Sequence, residues 1–394
     1  MKPVYLDNNA TTMVAPEVLA AMTPFFSEWY GNPSSMHSFG GHVGTRLKEA
    51  RADIAGVLGC RPDELIFTSC GSEGDNAAVL SALAAQPEKR HLVTTRVEHP
   101  AVLSLAKHLE EKGYEVTYLG VDEQGRLDLD ELARAIRKDT ALVSVMYANN
   151  ETGTIFPLPE IAALCKARGV LLHTDAVQAV GKVAIDLSQL PVDMLVLSGH
   201  KLHAPKGVGL LFVRQGTPFR PFLIGGHQER GRRAGTENTA GIIALATAMK
   251  LAQAHMAEEN SRVRALRDRL ETGVLAAIPY ARVNGDTESR LPNTSSIAFK
   301  FVEGEAILLM LDQYGICASS GSACTSGSLE PSHVLRAMGV PFTFAHGSIR
   351  FSLSRYTTDA DVDLVLDKLP GIIETLRRMS PFAEEPAQKP ACTC

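Results

Sequence analysis

From Ala15 to about residue 250, short apolar runs alternate with stretches of helical spacing. The runs are LIF (65–67), HLVTT (91–95), EVTYL (115–119), ALVSVMY (141–147), VLLHT (170–174), MLVLS (194–198) and LLFV (210–213). Their near-continuous apolar character suits strands buried on both faces. Helical patterns fall between them at 76–85, 101–112, 129–138 and 159–168. Pro100 suits a helix start, and Gly113 and Gly169 suit helix ends. Such alternation predicts an α/β fold with a mostly parallel sheet, and ligands then collect at the carboxyl ends of the strands. After Gly241 the pattern changes to a long helical region over 242–275, followed by strand-like TSSIAFKF, GICASS and SIRFSLS. The expected division is a large domain over 15–258, a smaller α+β domain from 1–14 and 259–380, and a mobile tail over 381–394.

The unusual polar residues sit where the apolar runs stop. MLVLS runs into SGHKLHAPKG, which places Lys201 in a tight turn between two strands. VLLHT is followed by Asp175, with Gln178 three residues on. His99 follows a second strand, Asn149 and Asn150 a third, and Cys70-Gly71-Ser72 stands between a fourth and a helix. Singly, each has a plain structural reading. Lys201 can be a solvated turn residue, Asp175 and Ser72 helix caps, Asn149-Asn150 a turn, and His99 a satisfied core histidine. Five strand ends delivering an amine, a carboxylate, an amide, an imidazole and a hydroxyl to one sheet edge fit a single cofactor, pyridoxal phosphate. Lys201 would form the Schiff base, Asp175 would keep the ring nitrogen protonated, and Ser72 at a helix N-terminus would hold the phosphate. His99 would lie over the ring, and Asn150 and Gln178 would bond the phenolic oxygen.

Composition narrows the class without changing this picture. The chain has 394 residues, a formal charge of −5, 45% hydrophobic and 21% charged residues, as expected of a globular enzyme. The mild acidity gives no reason to expect nucleic-acid binding. The opening MKPVYLDNNATT turns polar at once and does not read as a signal peptide, and no apolar run reaches the length of a membrane span. Seven irregularly spaced cysteines form no disulfide framework, so reduced thiols in the cytoplasm are expected. No paired C-x-x-C spacing supports a metal site or a metal-storing scaffold.

Eight motifs carry a resemblance: YLDNNATT, GNPSSMHSFG, EHPAV, NNETG, HTDAVQAVGK, SGHKLHAPKGVG, GGHQERGRRAGTEN and ASSGSACTSGSLEPSHVLRAM. They run from residue 5 to about 356 and resemble the cysteine desulfurases, in the class V aminotransferase group of fold-type I pyridoxal-phosphate enzymes. The wording is most similar to the nitrogen-fixation type, which supplies sulfur for nitrogenase iron–sulfur clusters. The resemblance implies a large domain with a mixed, mostly parallel sheet, a homodimer in which Thr236 reaches the partner's cofactor phosphate, and phosphate contacts from Ser198 and His200. Two departures stand out. Gly74 occupies a place where relatives are expected to carry serine, at the usual helical cost of glycine, and the terminal Cys392-Thr393-Cys394 matches no family feature.

The resemblance also names the reaction, and the cysteines say where it would end. Cys324 lies among Ser, Gly and Thr, a composition that predicts an exposed loop. Cys317 is expected to be buried, Cys165 lies in a helix, Cys60 follows a helix, and Cys70 is the strongest rival but is held by tight turns. The expected chemistry converts L-cysteine to L-alanine. Lys201 moves the Cα proton, His99 shuttles a proton, Arg350 and Asn150 bind the substrate carboxylate, and Cys324 takes the sulfur as a persulfide for an iron–sulfur scaffold. Arg355 is a weaker candidate for the carboxylate. A transaminase would have no need of a thiol there, whereas a selenocysteine lyase or another class V enzyme stays open.

Overall fold

The structure, a computed structural model, describes residues 3–321 and 331–380. The expected tail over 381–394 lies outside the described residues. The apolar runs form one seven-stranded sheet: β1 (Leu65–Thr68), β2 (His91–Thr95), β3 (Glu115–Leu119), β4 (Thr140–Ser144), β5 (Leu171–Asp175), β6 (Met194–Ser198) and β7 (Gly209–Val213). Their order is β1-β7-β6-β5-β4-β2-β3. Only β7 runs against its neighbours; every other pairing is parallel. Every residue of β1, β2, β4, β6 and β7 is buried, which is why these runs read as apolar without alternation. The chain first builds outward through β2 and β3, then returns at β4. A crevice therefore opens between the carboxyl ends of β2 and β4, where the direction of winding switches.

Five helices flank the sheet: α1 (Ser38–Leu58), α2 (Gly71–Ala84), α3 (Pro100–Glu111), α4 (Leu129–Ala135) and α5 (Leu158–Arg168). The 21-residue α1 was not anticipated. It turns Val43, Leu47, Ala50, Ile54 and Leu58 inward at helical spacing and packs on α6 (Thr239–Glu258). The region expected as one long helix is interrupted. A π turn at Glu259–Val263 separates α6 from α7 (Arg264–Ala277).

A second, antiparallel sheet contains β8 (Ala281–Asn284), β9 (Thr294–Phe299), β10 (Ser319–Ser320) and β11 (Ser348–Ser352), in the order β10-β11-β9-β8. GICASS is split: Ile316–Cys317 pairs with Val4–Tyr5, and only Ser319–Ser320 joins this sheet. Its core, with Phe299, Ile307, Phe351 and Val365, is separate from those of the large sheet and is closed by α8 (Gly304–Asp312) and α10 (Asp359–Met379). The short α9 (His333–Ala337) behaves differently. Although it falls within the expected small domain, its Val334 and Leu335 join the large-sheet core, as does Met338. On these cores we propose the division into 15–258 and 1–14 with 259–380, with α9 reaching across it. No helix among the described residues is long and apolar enough to cross a membrane.

Glu98, in the turn after β2, is fully buried. Its Oε1 accepts hydrogen bonds from Thr95 Oγ1 (2.8 Å) and the Met146 N–H (2.9 Å), while Oε2 has no partner. Burial pushes its carboxyl up to about 8. The folded chain thus holds this proton more tightly than the unfolded chain, whose carboxyl titrates near the ordinary ~4.3. The stability it contributes is complete below the unfolded value and is lost as pH rises through about 8. Glu98→Gln should therefore gain in Tm relative to the wild type as pH is raised from about 6 to about 8.5. Thermal melts across that range check this; a constant difference would show that Glu98 is already ionised in the fold.

Candidate active site

The crevice at the strand ends holds a cavity of about 330 Å³. Ser72, His99, Asn150, Asp175, Gln178, Ser198, His200, Lys201 and Arg350 all line it. Thr236 does not; it is exposed in the loop before α6. Cys324 lies outside the described residues.

Lys201 is placed by a single 3-10 turn, Gly199–Lys201, directly after β6. Its ammonium donates to the carbonyls of Asn9 and of Ala10 (the latter 2.7 Å). Asp175 ends β5, and its Oδ1 accepts from the Val177 N–H at 2.8 Å, so the carboxylate does serve as a local cap. Burial pushes its pKa up, while His99, the Val177 N–H and Lys201 pull it down. His99 is the N-cap of α3, with Pro100 behind it. Its Nδ1 accepts from the Ala101 N–H at 3.2 Å, so the neutral ring carries its proton on Nε2. Burial also lowers its pKa, and burial together with Lys201 pushes His200 down to about 4. Both rings are therefore neutral at pH 7 in this setting.

At the other end of the cavity, α2 begins with Cys70 as its N-cap, the Sγ accepting from the Glu73 N–H at 3.4 Å. Gly74, expected to loosen the first turn, lies against β6. A methyl group there would stand 2.8 Å from Val196 Cγ1, so glycine lets α2 lie directly on β6 and brings its N-terminus up to Ser198. A methyl on the neighbouring Gly71 would stand 3.7 Å from the Ser198 Cβ.

Arg350 on β11 reaches the cavity from the small sheet. It is 2% exposed and donates to Asp7 Oδ1 (2.9 Å) and the Asn150 carbonyl (3.1 Å), while its Nε has no partner. Each terminal nitrogen carries a second hydrogen, so the fork can still receive a carboxylate. Arg355 does not line this cavity: its guanidinium lies over Tyr356, and it borders a smaller cavity with Lys182, Glu259 and Lys201, the last of which lines both. The described cysteines are all free thiols. Burial pushes Cys60 and Cys165 up to about 12 and raises Cys317, which is half-buried rather than buried. Of these four only Cys70 borders the cavity. Among the described residues no group of three His, Cys, Asp or Glu side chains could hold a metal ion. The sequence reading missed Asn9, Ala10, Asp75 and Gly321 as lining residues. The polar run LDNNATT after a short strand was the available signal for the first two.

A mixed sheet of this order, with a lysine in the turn after β6 and an aspartate ending β5, defines a fold-type I pyridoxal-phosphate enzyme. The aminotransferase class-V family model matches residues 4–365, and the chain belongs to that family. It is 62% identical over 387 residues to cysteine desulfurase 2 of Trichormus variabilis, covering 98% of this chain and 97% of that one. It is 60% identical over 383 residues to the cysteine desulfurase NifS of Azotobacter vinelandii, covering 97% and 95%. Among solved structures, a NifS-like protein superposes with a TM-score of 0.90 at 40% identity, over 95% of this chain and all of that one.

The cavity fits the cofactor of this class. The Ser198 Oγ and Gln178 Oε1 atoms are buried without a partner, although buried polar groups are rarely left so. Ser198 faces the start of α2, where N–H groups converge on an anion. Two substitutions test the fit. Lys201→Ala should abolish any borohydride-stable bond between chain and pyridoxal phosphate, read as the mass of the labelled peptide. Ser198→Ala should keep that bond and raise the Kd for pyridoxal phosphate by about tenfold or more, the loss of one hydrogen bond to a charged group. An unchanged Kd would place the phosphate elsewhere.

Proposed function

We propose that the chain takes sulfur from L-cysteine, releasing L-alanine and leaving a persulfide on Cys324. The observation that carries this reading is the meeting, in one cavity, of Lys201, Asp175, the unpartnered Ser198 hydroxyl and Arg350. The relatives named cysteine desulfurase at about 60% identity support the choice of substrate.

Bound in the cavity, pyridoxal 5'-phosphate supplies an electron sink for the charge that develops at the substrate Cα. The chain's own groups do the rest. Lys201 would hold the cofactor aldehyde, and its amine, once free, would carry the substrate Cα proton. Asp175 holds the proton on the ring nitrogen. Ser72, the first N–H groups of α2, Ser198 and His200 hold the phosphate. Asn150 and Gln178 address the phenolic oxygen. Arg350, with Asn150, receives the substrate carboxylate in the bidentate geometry a guanidinium favours. His99, neutral with its proton on Nε2, passes a proton between the Cα side and the thiols. The Cys324 thiolate attacks the substrate sulfur. The S–S bond forms as the C–S bond breaks, the C–S electron pair stays with carbon, and protonation there gives alanine.

The wider setting follows from the same reading. The persulfide would pass to an iron–sulfur scaffold protein in the cytoplasm, including one that serves nitrogenase clusters. Two copies would form a homodimer, and each Thr236, exposed and away from its own cavity, would serve the phosphate of the other.

Cys324→Ser tests the assignment. Cofactor binding and exchange of the substrate Cα proton with solvent should persist, and persulfide formation should stop, since a serine hydroxyl is a far weaker nucleophile than a thiolate. Cys70→Ser should keep persulfide formation, because serine caps α2 at least as well as the thiol it replaces; Cys317→Ser should do the same. Alanine production at the wild-type rate by Cys324→Ser, with loss in Cys70→Ser, would move the sulfur acceptor to the cysteine that borders the cavity.

A further inference from the structure

Arg350 is the one arginine among the described residues that lines the cavity, and whatever fixes its guanidinium decides how a carboxylate can be received there. Its own sheet does not fix it. β11 places Ser296 of β9 and Ser319 of β10 directly opposite Arg350, one on each side. Neither hydroxyl bonds it: Ser296 Oγ accepts from Asn284 Nδ2 at 3.1 Å, and Ser319 Oγ donates to the Ser320 carbonyl at 3.0 Å. The fork is held from outside the small sheet. Nη2 donates to Asp7 Oδ1 at 2.9 Å and Nη1 to the Asn150 carbonyl at 3.1 Å.

Asp7 is set by the peptide groups on either side of it. The Asn8 N–H donates to the Ser352 carbonyl at 3.1 Å, and the Ser352 N–H donates to the Leu6 carbonyl at 2.7 Å. Ser352 stands two residues beyond Arg350 on β11, and residues two apart on a strand share a face. The Asp7 carbonyl accepts from the Ala10 N–H at 3.0 Å and closes a turn. The Asn9 and Ala10 carbonyls in that turn receive the Lys201 ammonium. Among the described residues the Asp7 carboxylate has one hydrogen-bond partner, Arg350, and Asp7 itself does not line the cavity. A carboxylate that meets a guanidinium for strength alone does so through two parallel bonds. Asp7 instead gives one oxygen to one terminal nitrogen, and the Asn150 carbonyl takes the other nitrogen. Two single bonds fix the plane of the fork and leave a second hydrogen on each terminal nitrogen.

We propose that Asp7 is a positioning residue for the substrate carboxylate: its bond to Arg350, set against that of the Asn150 carbonyl, holds the guanidinium plane so that the remaining hydrogens of the two terminal nitrogens receive an α-carboxylate. This rests on the reading of Arg350 as the group that binds the substrate carboxylate. Without Asp7 the guanidinium is held at one nitrogen only and can turn on its long side chain, so the approach of a carboxylate is no longer prepared. An asparagine oxygen keeps the bond and drops the charge, which separates orientation from charge.

The test compares pyridoxal-phosphate-loaded wild type with Asp7→Ala, Asp7→Asn, Asp7→Glu and Arg350→Gln. Absorbance titrations of the bound cofactor give the Kd for L-alanine and for ethylamine, which is L-alanine without its carboxylate. The ratio of the two is a carboxylate preference that needs no turnover. The Kd of each apo form for pyridoxal phosphate reports the fold of the cavity. Asp7→Ala should lose about tenfold or more of the carboxylate preference, the scale on which misplacement of a binding group acts. Its Kd values for ethylamine and for pyridoxal phosphate should stay within about twofold. Asp7→Asn should keep the preference within about threefold, because it keeps the bond. Asp7→Glu moves the carboxylate by one methylene and should lose preference as Asp7→Ala does; it carries the test where Asp7→Ala does not fold. An unchanged preference in Asp7→Ala and Asp7→Glu overturns the proposal. So does a parallel weakening toward L-alanine and ethylamine, which is what a purely structural role gives. A loss in Asp7→Asn as large as in Asp7→Ala assigns the effect to charge and overturns it too. Arg350→Gln should lose the preference outright. If it does not, the reading of Arg350 beneath the proposal fails, and that result stands apart from those of the Asp7 variants.

Discussion

A buried residue, Asn9, joins the two sheets at the cavity. Its carbonyl accepts from Gln178 Nε2 at 3.0 Å and from the Lys201 ammonium, and its N–H donates to Ser352 Oγ at 2.9 Å. Its side-chain Nδ2 donates to Thr294 Oγ1 (2.9 Å) and the Asn150 carbonyl (3.1 Å), and its Oδ1 accepts from Asn293 Nδ2 (3.1 Å). One residue therefore ties the turns after β4, β5 and β6 to β9 and β11. Each such buried group left unpaired costs about 1–3 kcal/mol, so the contacts stand or fall largely together. The functional consequence is a fixed span between Lys201, carried by the large sheet, and Arg350, carried by the small one.

The large sheet was legible because its physics is local. Strands buried on both faces must be apolar along their whole length, and so their boundaries fell within a few residues of the observed ones. The same reasoning located residues that line the cavity. A polar residue that interrupts such a run is at a strand end, and in a sheet wound in both directions the strand ends converge on the switch in winding. Lys201, Asp175, His99, Asn150 and Ser72 were found this way, without knowledge of which strands are neighbours.

The remaining features depend on contacts distant in sequence. Asn9 acquires its importance from Gln178, Lys201, Thr294 and Ser352, none of them near it in the chain. The break at Glu259–Val263 interrupts a sequence whose composition is helical throughout, and it falls where the chain passes from Ala252 in the large-sheet core to Val263 in the small-sheet core. Gly74 looked like a weak point because helix propensity was the only measure at hand, whereas the close approach of Val196 makes glycine the residue that fits. The placement of α9 on the large core escaped the domain reading for the same reason: a short helix carries too few residues to declare which core it serves.

Two aspartates line the cavity, and their surroundings act on them differently. Burial raises the pKa of both Asp75 and Asp175. Asp75 is raised further by Asp175, and it faces His173, whose Nε2 lies 3.4 Å from its Oδ1. Burial pushes His173 down to about 3, and its Nδ1 is engaged with Ser144 Oγ at 2.9 Å, so it offers Asp75 no positive charge at neutral pH. Asp175 instead accepts from the Val177 N–H and lies near Lys201, both of which pull its pKa down against burial. Two carboxylates in a dry cavity do not both ionise readily. Of the two, Asp75 is therefore pushed further toward its neutral form, while the neighbours of Asp175 oppose the rise that burial imposes.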